Sequence, residues 1–227
     1  MLCILRGVAM LKVNDIYPCI QGEGALTGTP MVLLRLHGCD VGCPFCDTKE
    51  TWHPAEKEQA RDFQRALGTG PAWAEIDEQD LAGEILRMAG PIRWVLVTGG
   101  EPCLQDLDRL TKVLRKQGYS LALETSGTEE VTGLWDWITV SPKFQMPRGK
   151  KLHAAAIMQA HEVKQVIGKP DDLDIVNHMI VQGWTTAPKV ALQPMSENKA
   201  ATEFCMATCL ERGYHLSLQT HKWIGAR

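Results

Sequence analysis

Gly38-Cys39-Asp40-Val41-Gly42-Cys43-Pro44-Phe45-Cys46-Asp47-Thr48 sets three cysteines at C-x3-C-x2-C spacing, directly after the apolar run Met31-Val32-Leu33-Leu34-Arg35-Leu36. The run predicts a β-strand that Gly38 ends, so the three thiols share one loop at a strand end. Thiolates this close in sequence can converge on one soft metal centre. Three ligands are one fewer than the usual four, which leaves a coordination position for a small molecule, as an open zinc site does for water. Lone cysteines are mostly buried small hydrophobes, a poor description of three thiols on a Gly/Pro-bearing loop. Zinc completed by His37 or His53 is the open alternative. A disulfide pair with one free thiol suits a reducing compartment badly.

Working outward, strands and helices alternate. Residues 12–20 read as extended, and Gln21-Gly22-Glu23-Gly24 as a tight turn of the kind that also holds ligands. Asp77 predicts an N-cap for a helix to about residue 88, with Leu81, Ile85 and Met88 on one face. Further strands are predicted over 92–97, 120–123, 137–140, 161–167, 190–192 and 215–218, and helices over 104–116, 171–181 and 198–212. Residues 52–74 are polar, carry Gly68, Gly70 and Pro71, and read as an inserted excursion with one helix near 57–67. The alternation argues for an α/β fold with a parallel sheet. About six parallel strands with fewer helices fit an incomplete (β/α) barrel better than a closed eightfold one.

The chemistry-bearing motifs fall at the C-terminal ends of these strands: Cys39 after the first barrel strand, Gly99-Gly100-Glu101, Glu124, Ser141-Pro142-Lys143, and Gln193-Pro194. That edge carries the ligands in parallel α/β sheets and barrels, so one shared mouth is expected. Gly99 and Gly100 would let backbone approach a ligand closely. Arg35 interrupts an apolar strand, which suits either a paired or snorkelling arginine or a fork onto a substrate carboxylate. Cys103, Cys205 and Cys209 read as core, Cys3 and Cys19 as incidental, and Trp135 and Trp137 as packing.

A chain of 227 residues with 44% hydrophobic and 22% charged residues fits one globular domain over 1–227. A net charge of −3, from 24 basic and 27 acidic residues, gives no basic surface for nucleic acid. No apolar run approaches a membrane span. Residues 1–10 are only mildly apolar and lack a signal-peptide pattern; Met10 reads as an alternative start, with 1–9 as an upstream extension. The eight cysteines are then expected in a reducing cytoplasm.

The triad followed by Asp47-Thr48 resembles the signature of the radical S-adenosylmethionine (SAM) enzymes. The ordered set Gln21-Gly22-Glu23-Gly24, Thr98-Gly99-Gly100-Glu101-Pro102, Glu124-Thr125-Ser126-Gly127, Ser141-Pro142-Lys143, Gln193-Pro194-Met195-Ser196 and Gln219-Thr220-His221-Lys222 resembles, within them, the 7-carboxy-7-deazaguanine synthases of the queuosine precursor pathway. The likeness runs from about residue 12 to 223. It implies a lyase that converts 6-carboxy-5,6,7,8-tetrahydropterin to 7-carboxy-7-deazaguanine with loss of ammonia, through a 5′-deoxyadenosyl radical. It implies Cys39, Cys43 and Cys46 as ligands of a 4Fe-4S cluster and Thr48 as a ligand of Mg²⁺. SAM would be held by Phe45, Cys46 and Asp47, by Gly99, Gly100 and Glu101, by Ser141, Pro142 and Lys143, and by Gln193, Pro194, Met195 and Ser196, with Glu124 beside the same pocket. Substrate would meet Ile20, Gln21, Gly22, Glu23, Arg35, Thr98 and His221. No side chain is singled out as a general acid or base beyond these ligands. A flavodoxin-type electron donor and a homodimer are also implied, with no nucleic-acid or membrane partner. The rivals are an activating enzyme for a glycyl-radical protein and a zinc-binding interaction module without catalysis.

Overall fold

The computed structural model describes residues 10–52, 59, 73–196 and 198–225. The helix expected near 57–67 lies outside them. Among the described residues nine strands form one sheet: β1 (Met10–Ile20), β2 (Pro30–Leu36), β3 (Ala74–Asp77), β4 (Trp94–Gly99), β5 (Ser120–Thr125), β6 (Trp137–Val140), β7 (Glu162–Ile167), β8 (Val190–Pro194) and β9 (His215–Leu216). Their spatial order is β3-β1-β2-β4-β5-β6-β7-β8-β9. From β2 to β9 all neighbours are parallel. β1 runs antiparallel to β2 and β3 extends that antiparallel edge. The sheet stays open between β3 and β9, an incomplete (β/α) barrel. Its six full parallel strands match the expected number; β9 is a two-residue addition.

Helices α1 (Glu78–Ala89), α2 (Asp108–Lys116), α3 (Ala154–Gln159), α4 (Asp174–Val181), α5 (Lys199–Arg212) and α6 (Thr220–Ile224) connect or follow the strands. Asp77 caps α1 as expected, its carboxylate accepting from Gln79 N at 2.8 Å. The helix expected from 104 begins later. Pro102–Leu104 forms a 3-10 turn first, because Glu101 accepts from Cys103 N and proline fits a first turn. The helix expected over 171–181 divides the same way, into a 3-10 turn Pro170–Leu173 and α4. The short α3 carries no clear periodic signal and was not expected.

Alternation along each strand sorts side chains into two layers. Val32, Leu34, Leu36, Val95, Val97, Leu121, Leu123, Ile138, Val140, Val163 and Ile167 join the large core shared with the helices. The opposite face points into the barrel. There Met31, Leu33, Leu96 and Ala122 form a small second core with Tyr17, Cys19, Trp94 and Trp137. Further along the same face the residues turn polar: Arg35 after Leu33, Thr98 after Leu96, Glu124 after Ala122. The barrel is thus plugged with apolar side chains at one end and lined with polar ones at the other.

Candidate active site

The loop after β2 is held shut by its own backbone. Gly38 N donates to Thr51 O (2.9 Å) and Cys39 N to Trp52 O (3.0 Å), so the segment between them closes into a loop carrying all three thiols. Trp52, expected at the start of the excursion, therefore belongs to the cysteine loop. Cys39, Cys43 and Cys46 are free thiols and line one cavity. Burial raises the Cys39 and Cys43 thiols above their ordinary value, Cys43 to about 11 although Lys143 opposes the rise. Two N–H groups point at Cys46 Sγ, from Trp52 Nε1 (3.3 Å) and Thr48 N (3.4 Å). His37, a zinc-ligand candidate, does not line that cavity; its Nδ1 pairs with Asn14 Oδ1 (3.1 Å) and its ring stacks on Trp73. His53 lies outside the described residues.

The same cavity is lined by Phe45, Asp47, Thr48, Gly100, Ser141 and Lys143, and across from them by Gln193, Pro194, Met195 and Ser196. Lys143 Nζ donates to Ser141 Oγ (2.5 Å) and Ser141 O (3.1 Å), and its burial lowers its pKa. A second cavity is lined by Ile20, Gln21, Gly22, Glu23, Arg35, Thr98 and His221, every residue expected to meet substrate. Glu23, Asp47, Thr48, Thr98 and Glu124 line both cavities, so the two are adjoining chambers of one mouth.

At several of these positions the structure adds detail. Glu101 is 1% exposed and lines neither chamber. Its carboxylate accepts from Cys103 N (3.0 Å), Thr125 Oγ1 (2.7 Å), Ser126 N (2.8 Å) and Ser126 Oγ, which ties the end of β4 to the end of β5. Gly99 and Gly100 are also crowded by backbone. A Cβ on Gly99 would stand 2.4 Å from Leu36 O, and one on Gly100 2.3 Å from Gly38 O; the close neighbours are the end of β2 and the start of the cysteine loop. Gly99 lines the second chamber instead of the first, and Pro142 a neighbouring cavity with Phe45 and Lys143. Cys19 lines the second chamber beside Arg35 and Glu124. Cys205 is fully buried in the main core, as expected.

Lys164 escaped the sequence reading. It projects from β7 into the first chamber with its side chain 4% exposed. Its Nζ lies 2.6 Å from Glu23 Oε2 and 3.4 Å from Glu124 Oε1. Burial pushes Glu23 up, but Lys164 and a bond from Gln219 outweigh it and hold the carboxyl at about 2. Glu124 also accepts from Gln21 Nε2 (3.0 Å). Alternation alone carried a signal: Lys164 and Glu162 share the face of β7 opposite Val163.

A chamber walled by three thiols at the C-terminal mouth of a parallel barrel, opening into a polar second chamber, agrees with the comparisons. A model of the radical SAM superfamily matches residues 33–138. The 7-carboxy-7-deazaguanine synthase of Escherichia coli (strain K12) is 39% identical over 216 residues, 93% of this chain and 97% of that protein. The chain belongs to the 7-carboxy-7-deazaguanine synthase family. The Synechocystis 7-carboxy-7-deazaguanine synthase is 36% identical over 220 residues, covering 95% of this chain and 93% of its own. A crystal structure of QueE from Escherichia coli superposes with a TM-score of 0.85 at 37% identity, over 92% of this chain and 94% of that one. As a radical SAM enzyme, this synthase-family chain implies a 4Fe-4S cluster and SAM, and three free thiols lining one chamber are a donor set that fits such a cluster.

Proposed function

We propose that the chain converts 6-carboxy-5,6,7,8-tetrahydropterin to 7-carboxy-7-deazaguanine with release of ammonia. One observation supports this above the others: the chamber of the three thiols opens directly onto the chamber of Gln21, Arg35, Thr98 and His221, and five residues wall both. Cys39, Cys43 and Cys46 would hold the cluster, and cluster and SAM together would supply the radical chemistry that starts at C6 of the pterin.

The protein's part is to place two small molecules and keep water out. Lys143 offers a cation for the SAM carboxylate, and Gln193 to Ser196 close round its adenosine end. Arg35 forks onto the substrate carboxylate from inside the sheet. Gln21, Gly22 and Thr98 orient the pterin ring. Thr48 would hold Mg²⁺ through its hydroxyl, and the metal would help to anchor the substrate; a hard cation that keeps several waters accepts so few protein ligands. The position of Thr48 on the wall common to both chambers supports that role. Glu101 shapes the SAM wall from behind, through Thr125 and Ser126.

The reading extends to a flavodoxin-type electron donor, a homodimer and a cytoplasmic setting. Free thiols at all seven described cysteines support the last. Among the described residues no helix is long and apolar enough to cross a membrane.

The test is an anaerobic turnover of reconstituted protein with SAM, Mg²⁺, a reductant and the pterin, with products weighed by mass spectrometry. Both 7-carboxy-7-deazaguanine and 5′-deoxyadenosine are expected, and neither from Cys46→Ala. Deoxyadenosine without the deazaguanine would move the substrate elsewhere.

A further inference from the structure

We infer that Trp52 tunes the reduction potential of the cluster through an N–H bond to Cys46 Sγ; this rests on the reading of Cys46 as a cluster ligand. The indole Nε1 lies 3.3 Å from that sulfur, within range for a bond to sulfur. A neutral thiol is a weak acceptor, but a metal-bound thiolate carries negative charge and accepts strongly. The backbone N–H of Thr48 meets the same sulfur at 3.4 Å, so two donors share one ligand.

The surroundings fix the ring in that orientation. Trp52 O accepts from Cys39 N (3.0 Å), so one residue touches two of the three cysteines. Arg148 lies over the indole, 5.3 Å from its centroid, and donates through Nη1 to Cys39 O at 3.2 Å. Lys49 Nζ stands 5.8 Å from the same ring. Two cations on one indole draw electron density from it and strengthen its N–H as a donor. They also place positive charge beside the cluster.

The direction of the effect follows. Reduction adds one electron to the cluster from a low-potential one-electron donor; no bond is made or broken, and the cluster gains negative charge. Hydrogen bonds to the sulfurs and nearby cations stabilise the more negative form, which raises the potential. Trp52 thus makes the cluster easier to reduce, and its ring covers the Cys46 side of the loop.

Wild type and Trp52→Phe would be reconstituted, matched for iron and sulfide, and titrated by EPR without SAM. Phenylalanine keeps a ring and loses the donor. The midpoint is expected to fall so that the reduced-to-oxidised ratio at a fixed potential drops about tenfold, which is about 59 mV for a one-electron couple. Arg148→Ala should fall by less. Of the exchangeable-proton couplings to the reduced cluster seen by ENDOR in wild type, the indole one should vanish in Trp52→Phe and that of Thr48 N–H should stay. An unchanged midpoint, or a spectrum from which no coupling is lost, overturns the inference. So does a Trp52→Phe protein that cannot hold its iron, since Trp52 would then only brace the loop. None of these outcomes touches the proposed function. A Cys46→Ala protein that keeps a full cluster would overturn both.

Discussion

Lys164 joins two separate parts of the chain at one ammonium, and a third through Glu23. Glu23 comes from the turn after β1, Glu124 from the end of β5, and Gln219, which donates to Glu23 Oε1 at 2.7 Å, from the C-terminal segment. Breaking a buried pair by removing one partner leaves an uncompensated charge, at about 3–5 kcal/mol. Glu124 is a quarter exposed, so solvent recovers part of that loss. Lys164→Met is therefore expected to cost about 3 kcal/mol in denaturant unfolding and to reduce turnover. The pH dependence has a definite sign. Glu23 titrates at about 2 in the folded protein, below its ordinary 4.5. Its contribution is complete above about pH 4.5 and is lost as pH falls toward 2. Glu23→Gln should flatten that part of the acid-unfolding curve, and an unchanged curve would show that Glu23 does not drive it. The sequence hid Lys164 for a physical reason. In Glu162-Val163-Lys164-Gln165-Val166-Ile167 the usual reading of alternation sends charged residues to solvent. Here helices cover the apolar face and the polar face lines a chamber, so the inference inverts. The cysteines escaped this ambiguity because their spacing encodes chemistry regardless of which way a strand faces.

Among the elements, the cysteine loop and the end of β4 form one unit. Gly100 N donates to Leu36 O (3.1 Å) and Glu101 N to Gly38 O (2.9 Å). No atom fits between them, because a Cβ on Gly100 would also stand 2.7 Å from Cys39 Cβ. Backbone cannot yield as a flexible side chain does, so Gly100→Ala should cost about 3 kcal/mol or more and lower the iron bound after reconstitution. Gly83 gives the opposite sign. It lies inside α1, and a Cβ there meets nothing within 4 Å. Gly83→Ala should raise stability by about 0.5–1 kcal/mol and leave iron content alone. Equal melting shifts for the two variants would contradict the packing argument. Most elements were legible because apolar runs and caps are local: Asp77 caps α1 as expected, and α5 starts one residue after its expected start, with Asn198 as its cap accepting from Ala201 N at 3.0 Å. The start of α2 was not, because Glu101 and Pro102 impose a 3-10 turn ahead of it. Nor was the true neighbour of Gly99 and Gly100, since their crowding comes from a loop sixty residues away in sequence and the backbone they meet carries no residue-type signal.

At the scale of the molecule, an open sheet must still enclose its reactants, and the C-terminal segment closes the mouth. Thr220 donates to Gly22 O through both N (3.0 Å) and Oγ1 (3.1 Å). His221 packs so closely on Gly22 that a Cβ there would lie 2.3 Å from its Nδ1. Lys222 Nζ reaches Ser196 Oγ at 2.8 Å and lies 3.6 Å from Asp47 Oδ2. The segment thus bridges the turn after β1, the loop after β8 and the cysteine loop. It contributes little to the core, since α6 has no buried residue. The barrel's openness was legible from the number of strands; the strap was legible only through the family resemblance, which sets His221 at the substrate. Gln219-Thr220-His221-Lys222 has no apolar period, and its partners are backbone oxygens and polar tips that no pattern encodes. A contact that adds few buried apolar groups and covers the substrate chamber should matter more to binding than to folding. A chain ending at Leu218 is therefore expected to melt within about 4 °C of the full chain, which is about 1–2 kcal/mol for a domain of this size. Its KM for the pterin should rise about tenfold, equivalent to about 1.4 kcal/mol of lost binding, while its cluster content stays the same. A truncated protein with unchanged KM would show that substrate is held by the barrel alone. One that loses its cluster would show instead that the strap supports the thiol loop, through Lys222 and Asp47, and not the pterin.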